Sequence, residues 1–399
     1  MTGKSVRHDV VVAGGGAVGL GVALGLARRG ISVFLAGAAT SVRDDGRTAA
    51  LMQPSVAFLD DLGIASRLAD RAWPLAAIRL IDATGALVPS PTVTFRASEI
   101  GHDWFALNYA NADLVRTMTA ALGEEKNATL DPALVSGADF GPDGVAVHLT
   151  DGRTVEAALL VAADGARSPL RAAAGIGTRD WAYDQVALTF HVTHTRDHED
   201  ISTEFHTRSG PLTYVPFGHY KSSVVWLVSQ AEAEALKSLS PQQLVIACQR
   251  RSSSLLGDLT IAGPTGSVPM RGLIATTATA PRLMLAGEAL HVFPPVGAQG
   301  MNLGFRDAGG IVAAVSGALT RGEDPGGAAA LAEYERGRKL DATSRTLGVD
   351  LLNRSLISGL LPLDLIRCAG LTAAATLPPL RRMLMRAGMG EMPFAGRGG

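Results

Sequence analysis

The sequence predicts an α/β fold in which a Rossmann-like parallel sheet carries an inserted mixed or antiparallel sheet and ends in a helical C-terminal region. Three features predict it. A β-branched run, residues 9–13, enters a glycine-rich turn and then a helical pattern. Two further apolar runs, 158–163 and 283–286, each stop at an acid-containing turn. Between those two, the texture becomes aromatic and β-branched.

Taken in order, DVVVA at 9–13 reads as a strand, and Val18 to Arg29, rich in Ala, Leu and Gly and closed by Gly30, reads as a helix. Residues 31–35 make a second strand, completing a β-α-β unit of the kind that builds parallel sheets. ALLVAA (158–163) and LMLA (283–286) lack alternation, as strands covered on both faces do, and stop at Asp164-Gly165 and Gly287-Glu288. The runs 187–192, 212–217 and 222–229, separated by turns such as Phe217-Gly218-His219, fit antiparallel hairpins, and 78–95 joins that layer. The expected first domain is therefore discontinuous, comprising 1–75, 105–180 and 268–340, with a sheet domain from 76–104 and 181–267. Ala, Leu, Arg and Met dominate from Gly310 onward and predict helix, so 341–399 is expected as a C-terminal helical region.

Composition removes several functions. Lys and Arg number 36 against 37 Asp and Glu, with no basic block, so the counterion release that drives non-specific nucleic-acid binding has no source. An apolar fraction of 47% gives enough burial to argue against disorder. Cys248 and Cys368 fit neither a disulfide framework nor a zinc spacing and are expected as reduced thiols, which points to the cytoplasm. The uncharged stretch from Val10 to Ala27 approaches a membrane span in length, but five glycines lie between Gly14 and Gly21. That spacing belongs to a phosphate-binding turn, and no targeting segment is expected.

The turn is Gly14-Gly15-Gly16-Ala17-Val18-Gly19, a G-x-G-x-x-G set between strand and helix. Gly14 permits the tight turn, Gly16 lets a pyrophosphate approach the backbone, and Gly19 lets helix and sheet pack closely. The helix N-terminus then offers oriented N–H groups to negative charge. One part is missing: the carboxylate expected at the end of the second strand for ribose hydroxyls is replaced by Gly37.

With Gly46-Arg47-Thr48-Ala49-Ala50-Leu51, the stretch Val161 to Arg171 around Asp164-Gly165, and the stretch Gly287 to Asn302, this turn occurs in an order that resembles the FAD-dependent aromatic hydroxylases, the class A flavoprotein monooxygenases. The chain is most similar to their ubiquinone-biosynthesis branch, the UbiH/UbiF/VisC-like group, over nearly its whole length. The resemblance implies a glutathione-reductase-type FAD-binding domain with a substrate domain inserted in it. It assigns FAD contacts to Gly14, Gly16, Ala17, Val18 and Gly19, to Arg47 and Asn111, and to Asp164 and Gly165. Gly287 and Glu288 match the family's Gly-Asp turn, with a methylene added, and Pro295, Gly297, Gln299, Gly300, Met301 and Asn302 match the loop and helix start beside the isoalloxazine ring. A positive helix end there would favour the reduced flavin.

The implied activity is hydroxylation of an aromatic ring through a flavin C4a-hydroperoxide, on a prenylated phenol or quinone precursor, with dioxygen as co-substrate and NAD(P)H as a transient reductant. No second dinucleotide domain is present, and Arg167 and Arg171 are candidates to meet the NAD(P)H phosphate. The chemistry is flavin-centred, so no catalytic side chain is assigned, and the protein's task is to exclude water and hold the ring. Tyr214, Pro216, Phe217 and Trp226 of the inserted sheet, with Pro294, are the candidate pocket walls; core packing of the aromatics is the competing reading. The competing functions are a flavin-dependent hydroxylase or reductase of another lipid or secondary metabolite, and a non-catalytic scaffold of a quinone-biosynthesis complex, motivated by Gly37 and Glu288.

His191, His194, His198 and His206 lack a recognised zinc spacing, and no metal is expected. No G-x-S-x-G supplies a hydrolase nucleophile. The apolar stretch from Leu351 to Leu380 is broken by Arg354, Pro362, Asp364 and Arg367, too many interruptions for a span. It predicts a greasy helical surface that packs in the core or rests on the inner membrane or on a partner of a biosynthetic complex.

Overall fold

A computed structural model describes residues 7–39, 41, 42, 44, 46–85, 90–293, 299–338, 372, 373 and 376–389. Five parallel strands form the first sheet in the order Ala128–Asp131, Val33–Ala36, His8–Ala13, Thr154–Ala162 and Leu283–Leu285. The three interior members are almost wholly apolar where they pair, as sheets covered on both faces require. The sequence pattern finds these strands within a few residues but misses a hairpin, Val135–Phe140 and Val145–Leu149, that extends the sheet antiparallel to the first half of Thr154–Ala162.

Helix α1 (Ala17–Ala27) follows the first strand and is buried at ten of its residues, hence its lack of a polar face. It packs on the helix that carries Val312 so closely that a Cβ on Gly25 would come within 2.7 Å of that residue. In chain order the next helices are α2 (Gln53–Asp61), α3 (Asn111–Gly123), α4 (Pro169–Ala173), α5 (Gln230–Lys237), α6 (Pro241–Arg251) and α7 (Gln299–Thr320).

The inserted sheet runs His291–Val292, Gly266–Ala275, Thr178–His194, Lys221–Ser229, Leu212–Pro216, Ile201–His206, Ala77–Asp82 and Val93–Arg96. It is antiparallel apart from the parallel pair Ile201–His206 and Ala77–Asp82, so it is mixed. Its central strand, Thr178–His194, is 17 residues long, and its register with Gly266–Ala275 breaks between Ala182 and Val186. Helices α5 and α6 cover one face and bury Leu188, Phe190, Tyr214, Trp226 and Cys248. The sequence reading passed over both helices, although Ser240 and Gln243 form a reciprocal capping box at the start of α6. A small third sheet, Thr48–Met52, Ala106–Ala110 and Trp73–Leu75, lies beside it, and Thr48 Oγ1 donates to Ser223 Oγ at 3.1 Å.

C-terminal to α7, residues 328–338 are helical, and the helix Pro378–Met389 seats Met385 and Met389 against Ile100 and Phe105. Most of the apolar stretch 351–380 and Cys368 lie outside the described residues. No helix among the described residues is long and apolar enough to cross a membrane.

Candidate functional site

The glycine turn has the geometry its spacing predicts. Gly14 has φ +118°, and a Cβ there would lie 2.2 Å from the carbonyl oxygen of Ala163; a Cβ on Gly19 would lie 2.0 Å from the Gly14 carbonyl oxygen. Gly16 differs. No heavy atom lies within 4 Å of where its Cβ would stand, and no side chain caps α1, whose first residue is Ala17. The helix therefore presents uncapped backbone N–H groups over open space, which suits a pyrophosphate.

Gly37 explains the missing carboxylate. It has φ +81°, and its carbonyl oxygen stands 2.3 Å from the position of a Gly15 Cβ, so this turn is shaped by backbone contact in a region that disfavours any side chain. Asp131, at the end of the neighbouring strand, is nearby but engaged by the Ala133 N–H and by Arg153.

Around this cradle the other motifs converge. Asp164 follows Ala163, which packs on Gly14, and the left-handed Gly165 turns the chain toward α4. One carboxylate oxygen of Asp164, Oδ1, is buried without a protein partner among the described residues, and burial pushes the Asp164 pKa up. Asn111 opens α3, and its backbone N–H donates to the Arg47 carbonyl at 3.0 Å, joining two residues that stand 64 positions apart in the sequence. The Asn111 Oδ1 is likewise buried and unpartnered by protein among the described residues. Buried orphan acceptors of this kind call for a ligand or water donor. Arg47 itself is exposed.

Gly287 has φ +59° and packs on Val18, as does Gly304 of α7, so Val18 serves as the wedge between α1, the Gly287 turn and α7. Glu288 is exposed in this turn. Gly300 and Met301 lie in the first turn of α7, while Pro294, Pro295 and Gly297 and the Gln299 side chain lie outside the described residues. Asn302 pins the helix start: its Oδ1 accepts from the Met52 N–H at 2.8 Å and the Ser55 hydroxyl at 2.7 Å, and its Nδ2 donates to the Ala50 carbonyl at 2.8 Å. Its side chain thus joins α7 to the strand Thr48–Met52 that follows Arg47. Asn302→Ala should cost about 2–4 kcal/mol in apoprotein thermal or urea unfolding, since it leaves buried partners unpaired.

Arg171 is not a free phosphate ligand. It is buried, and its guanidinium donates to the Ala289 and Ala166 carbonyls, clamping the Asp164 loop to the Gly287 turn. Arg167 is exposed. Tyr214 and Trp226 sit in the core under α5 and α6, the Tyr214 hydroxyl bonded to Ser252 Oγ and Cys248 Sγ at 3.0 Å each. Pro216 is buried on that same alternation, and its carbonyl accepts from Asn108 Nδ2; Phe217 lies on the opposite face, its ring tilted against that of His191 at 4.8 Å between centroids. The histidines hydrogen-bond to different partners, His194 to Ser222 and Arg196, His198 to Gly218 and His206 to Glu204, and the His194 and His198 rings meet edge-on at 5.4 Å. No three His, Cys, Asp or Glu side chains among the described residues are grouped to hold a metal.

The raised Asp164 pKa has a pH signature. The folded apoprotein holds this proton more tightly than the unfolded chain, so the group favours folding below its unfolded pKa and loses that contribution as pH rises through its folded value. Asp164→Asn should therefore stabilise the apoprotein at neutral pH, with the gain shrinking on acidification. Thermal melts across pH would check it.

The sequence profile for the family described as FAD binding domain matches residues 7–345 of this chain. The chain belongs to the FAD-dependent aromatic hydroxylase family. Ubiquinone hydroxylase UbiL of Rhodospirillum rubrum is 33% identical over 390 residues, covering 96% of this chain and 90% of the relative. The 3-demethoxyubiquinol 3-hydroxylase of Escherichia coli is 29% identical, covering 96% and 98%. Among solved structures, p-nitrophenol 4-monooxygenase from Pseudomonas putida superposes with a TM-score of 0.79 at 20% identity, covering 96% of this chain and 98% of that one, which shows the shared fold. This family member is an FAD-dependent monooxygenase, and the glycine cradle with the two orphan oxygens, of Asp164 and Asn111, fits its cofactor.

One part of the site had no signal in the sequence reading. Asp307 of α7 is fully buried and accepts from the Gly287 N–H, His291 and Arg338. Its place one α-helical turn and a little more beyond Asn302, on a face otherwise apolar, is the feature that could have marked it.

Proposed function

We propose that this hydroxylase inserts one atom of dioxygen into a ring C–H bond of a prenylated phenol or quinone precursor of ubiquinone, the other atom leaving as water with the two electrons drawn from NAD(P)H as a transient reductant. The observation that carries the reading is the open cradle at Gly16, in a turn whose Gly14 packs on Ala163 next to the orphan-bearing Asp164, in a chain with relatives named ubiquinone hydroxylase UbiL and 3-demethoxyubiquinol 3-hydroxylase over nearly its whole length. Bound FAD supplies the electrons that activate dioxygen. The chain's own residues do the rest: the N–H groups of α1 hold the pyrophosphate, and Asp164, Asn111 and Arg47 hold the remainder of the cofactor.

The substrate ring belongs on the face of the inserted sheet opposite α5 and α6. There His191 is buried, its Nε2 lacks a protein partner among the described residues, and burial followed by Lys221 holds its pKa low. A neutral imidazole beside Ser223 and Phe217 can accept from a phenolic hydroxyl. The isoprenoid tail would arrive from a membrane surface through the helix Pro378–Met389, which exposes Met383 and Leu384 beside Arg382 and Arg386.

The test uses FAD-loaded protein, NADH or NADPH, a short-chain prenylphenol and isotopically labelled dioxygen. Substrate-stimulated NAD(P)H oxidation with one labelled oxygen in the ring is expected. Reduction without oxygen insertion would replace the hydroxylase by a reductase, and failure to bind FAD at saturation would leave the scaffold reading.

A further inference from the structure

Asp307 is a carboxylate with no solvent exposure in the middle of an apolar helix, and burying such a charge is costly unless its surroundings use it. Its three partners come from three places. Oδ2 accepts from the Gly287 N–H at 2.9 Å, in the turn that packs on Val18 beside the glycine cradle. The same oxygen accepts from His291 Nε2 at 2.6 Å. His291 is itself paired with Ile274, so this contact reaches the edge of the inserted sheet. Oδ1 takes the Arg338 guanidinium at 3.2 Å, from the helix that follows α7. Close by, Tyr334 donates to the Leu285 carbonyl, closing the strand end that leads into the turn.

We infer that Asp307 is a positioning residue for the cofactor: through Gly287 and His291 it fixes the Gly287-Glu288 turn and the inserted-sheet edge against α7, so that the FAD-facing backbone is preorganised before FAD binds. A helix interior does not need a buried anion for its own stability. A turn with a left-handed glycine does need its N–H directed, and a carboxylate that receives two donors on one oxygen defines that direction more narrowly than water does. The negative charge also holds the His291 ring with its proton on Nε2, the tautomer that the contact requires. This inference rests on the FAD site described above.

The experiment compares full-length wild type with Asp307→Ala, Asp307→Asn and His291→Phe. Each is titrated with FAD by fluorescence, with apoprotein melting and far-ultraviolet circular dichroism as folding controls. Asp307→Asn keeps an oxygen for Gly287 and His291 but removes the charge and turns an amide NH2 toward the Arg338 guanidinium. Expected results are a rise in the FAD Kd of about 30-fold or more for Asp307→Ala, about 10-fold for His291→Phe, and less than about 5-fold for Asp307→Asn. The imidazole N–H proton of His291 gives a readout independent of FAD: far downfield in wild-type apoprotein, shifted upfield in Asp307→Asn and lost to exchange in Asp307→Ala. Should Asp307→Ala fail to fold, His291→Phe against Asp307→Asn carries the comparison. A folded Asp307→Ala or His291→Phe that binds FAD with the wild-type Kd overturns the inference, and so does an Asp307→Asn no better than Asp307→Ala. If wild type itself binds no FAD, the assignment of the site fails instead.

Discussion

Gly16→Val is expected to fold as the wild type does and to lose FAD. The backbone at Gly16 is extended, with φ −76° and ψ 170°, a conformation open to any residue, and a Cβ there meets no heavy atom within 4 Å. The apoprotein should therefore melt within about 1 kcal/mol of wild type, the range of a change at a helix N-cap. The branched side chain occupies the space that the pyrophosphate needs against the α1 N–H groups. A loss of affinity of about 100-fold, or ~2.7 kcal/mol, is the smallest outcome consistent with that geometry. Gly19→Val makes the contrast, because its Cβ collides with the Gly14 carbonyl and no side chain can move to relieve it. That variant should fail to fold whether or not FAD is supplied. Titration of apoprotein with FAD, beside circular dichroism, separates the two. A Gly16→Val protein with unchanged affinity would remove the pyrophosphate from this turn.

The second large effect is on stability. Trp226 is 1% exposed and sits across from Leu188 and Leu212 under α5 and α6, with the Arg251 guanidinium over its ring. Trp226→Ala should lower stability by about 3–5 kcal/mol, the cost of removing a large buried side chain and leaving a cavity. FAD affinity of the folded fraction should not change, since the ring faces away from the FAD-binding body. Urea unfolding read by fluorescence of the other tryptophans and by circular dichroism measures this. A variant of native stability with impaired turnover would return Trp226 to the substrate pocket.

These two residues show what the sequence carries and what it does not. The cofactor turn was legible because its chemistry is local: a strand, three glycines at fixed spacing and a helix must follow one another within a dozen residues. Asp164-Gly165 was legible for the same reason, at the end of an apolar strand. The face of a strand is a different matter. Period two correctly groups Leu212, Tyr214 and Pro216 and sets Phe217 apart, but which group meets the cofactor depends on where α5 and α6 lie, and the sequence reading had not recognised those helices. Long-range polar contacts were hidden too. Arg171 reads in the sequence as a candidate for the NAD(P)H phosphate, whereas its guanidinium donates to Ala289, over a hundred residues away, and Asp307 has partners at Gly287, His291 and Arg338 that no window contains. Gly37 reads as a lost carboxylate in sequence, whereas in three dimensions it is the backbone against which Gly15 turns.

The strand Thr178–His194 is the central strand of the inserted sheet, paired on both sides at 186–189 and 192–193, yet its ladder with Gly266–Ala275 is interrupted between Ala182 and Val186. A continuous ladder resists flexure and an irregularity concentrates it. Bending of the inserted sheet would therefore concentrate at the three intervening residues, Tyr183, Asp184 and Gln185, and a rigidifying substitution there would stiffen the sheet without touching the FAD cradle.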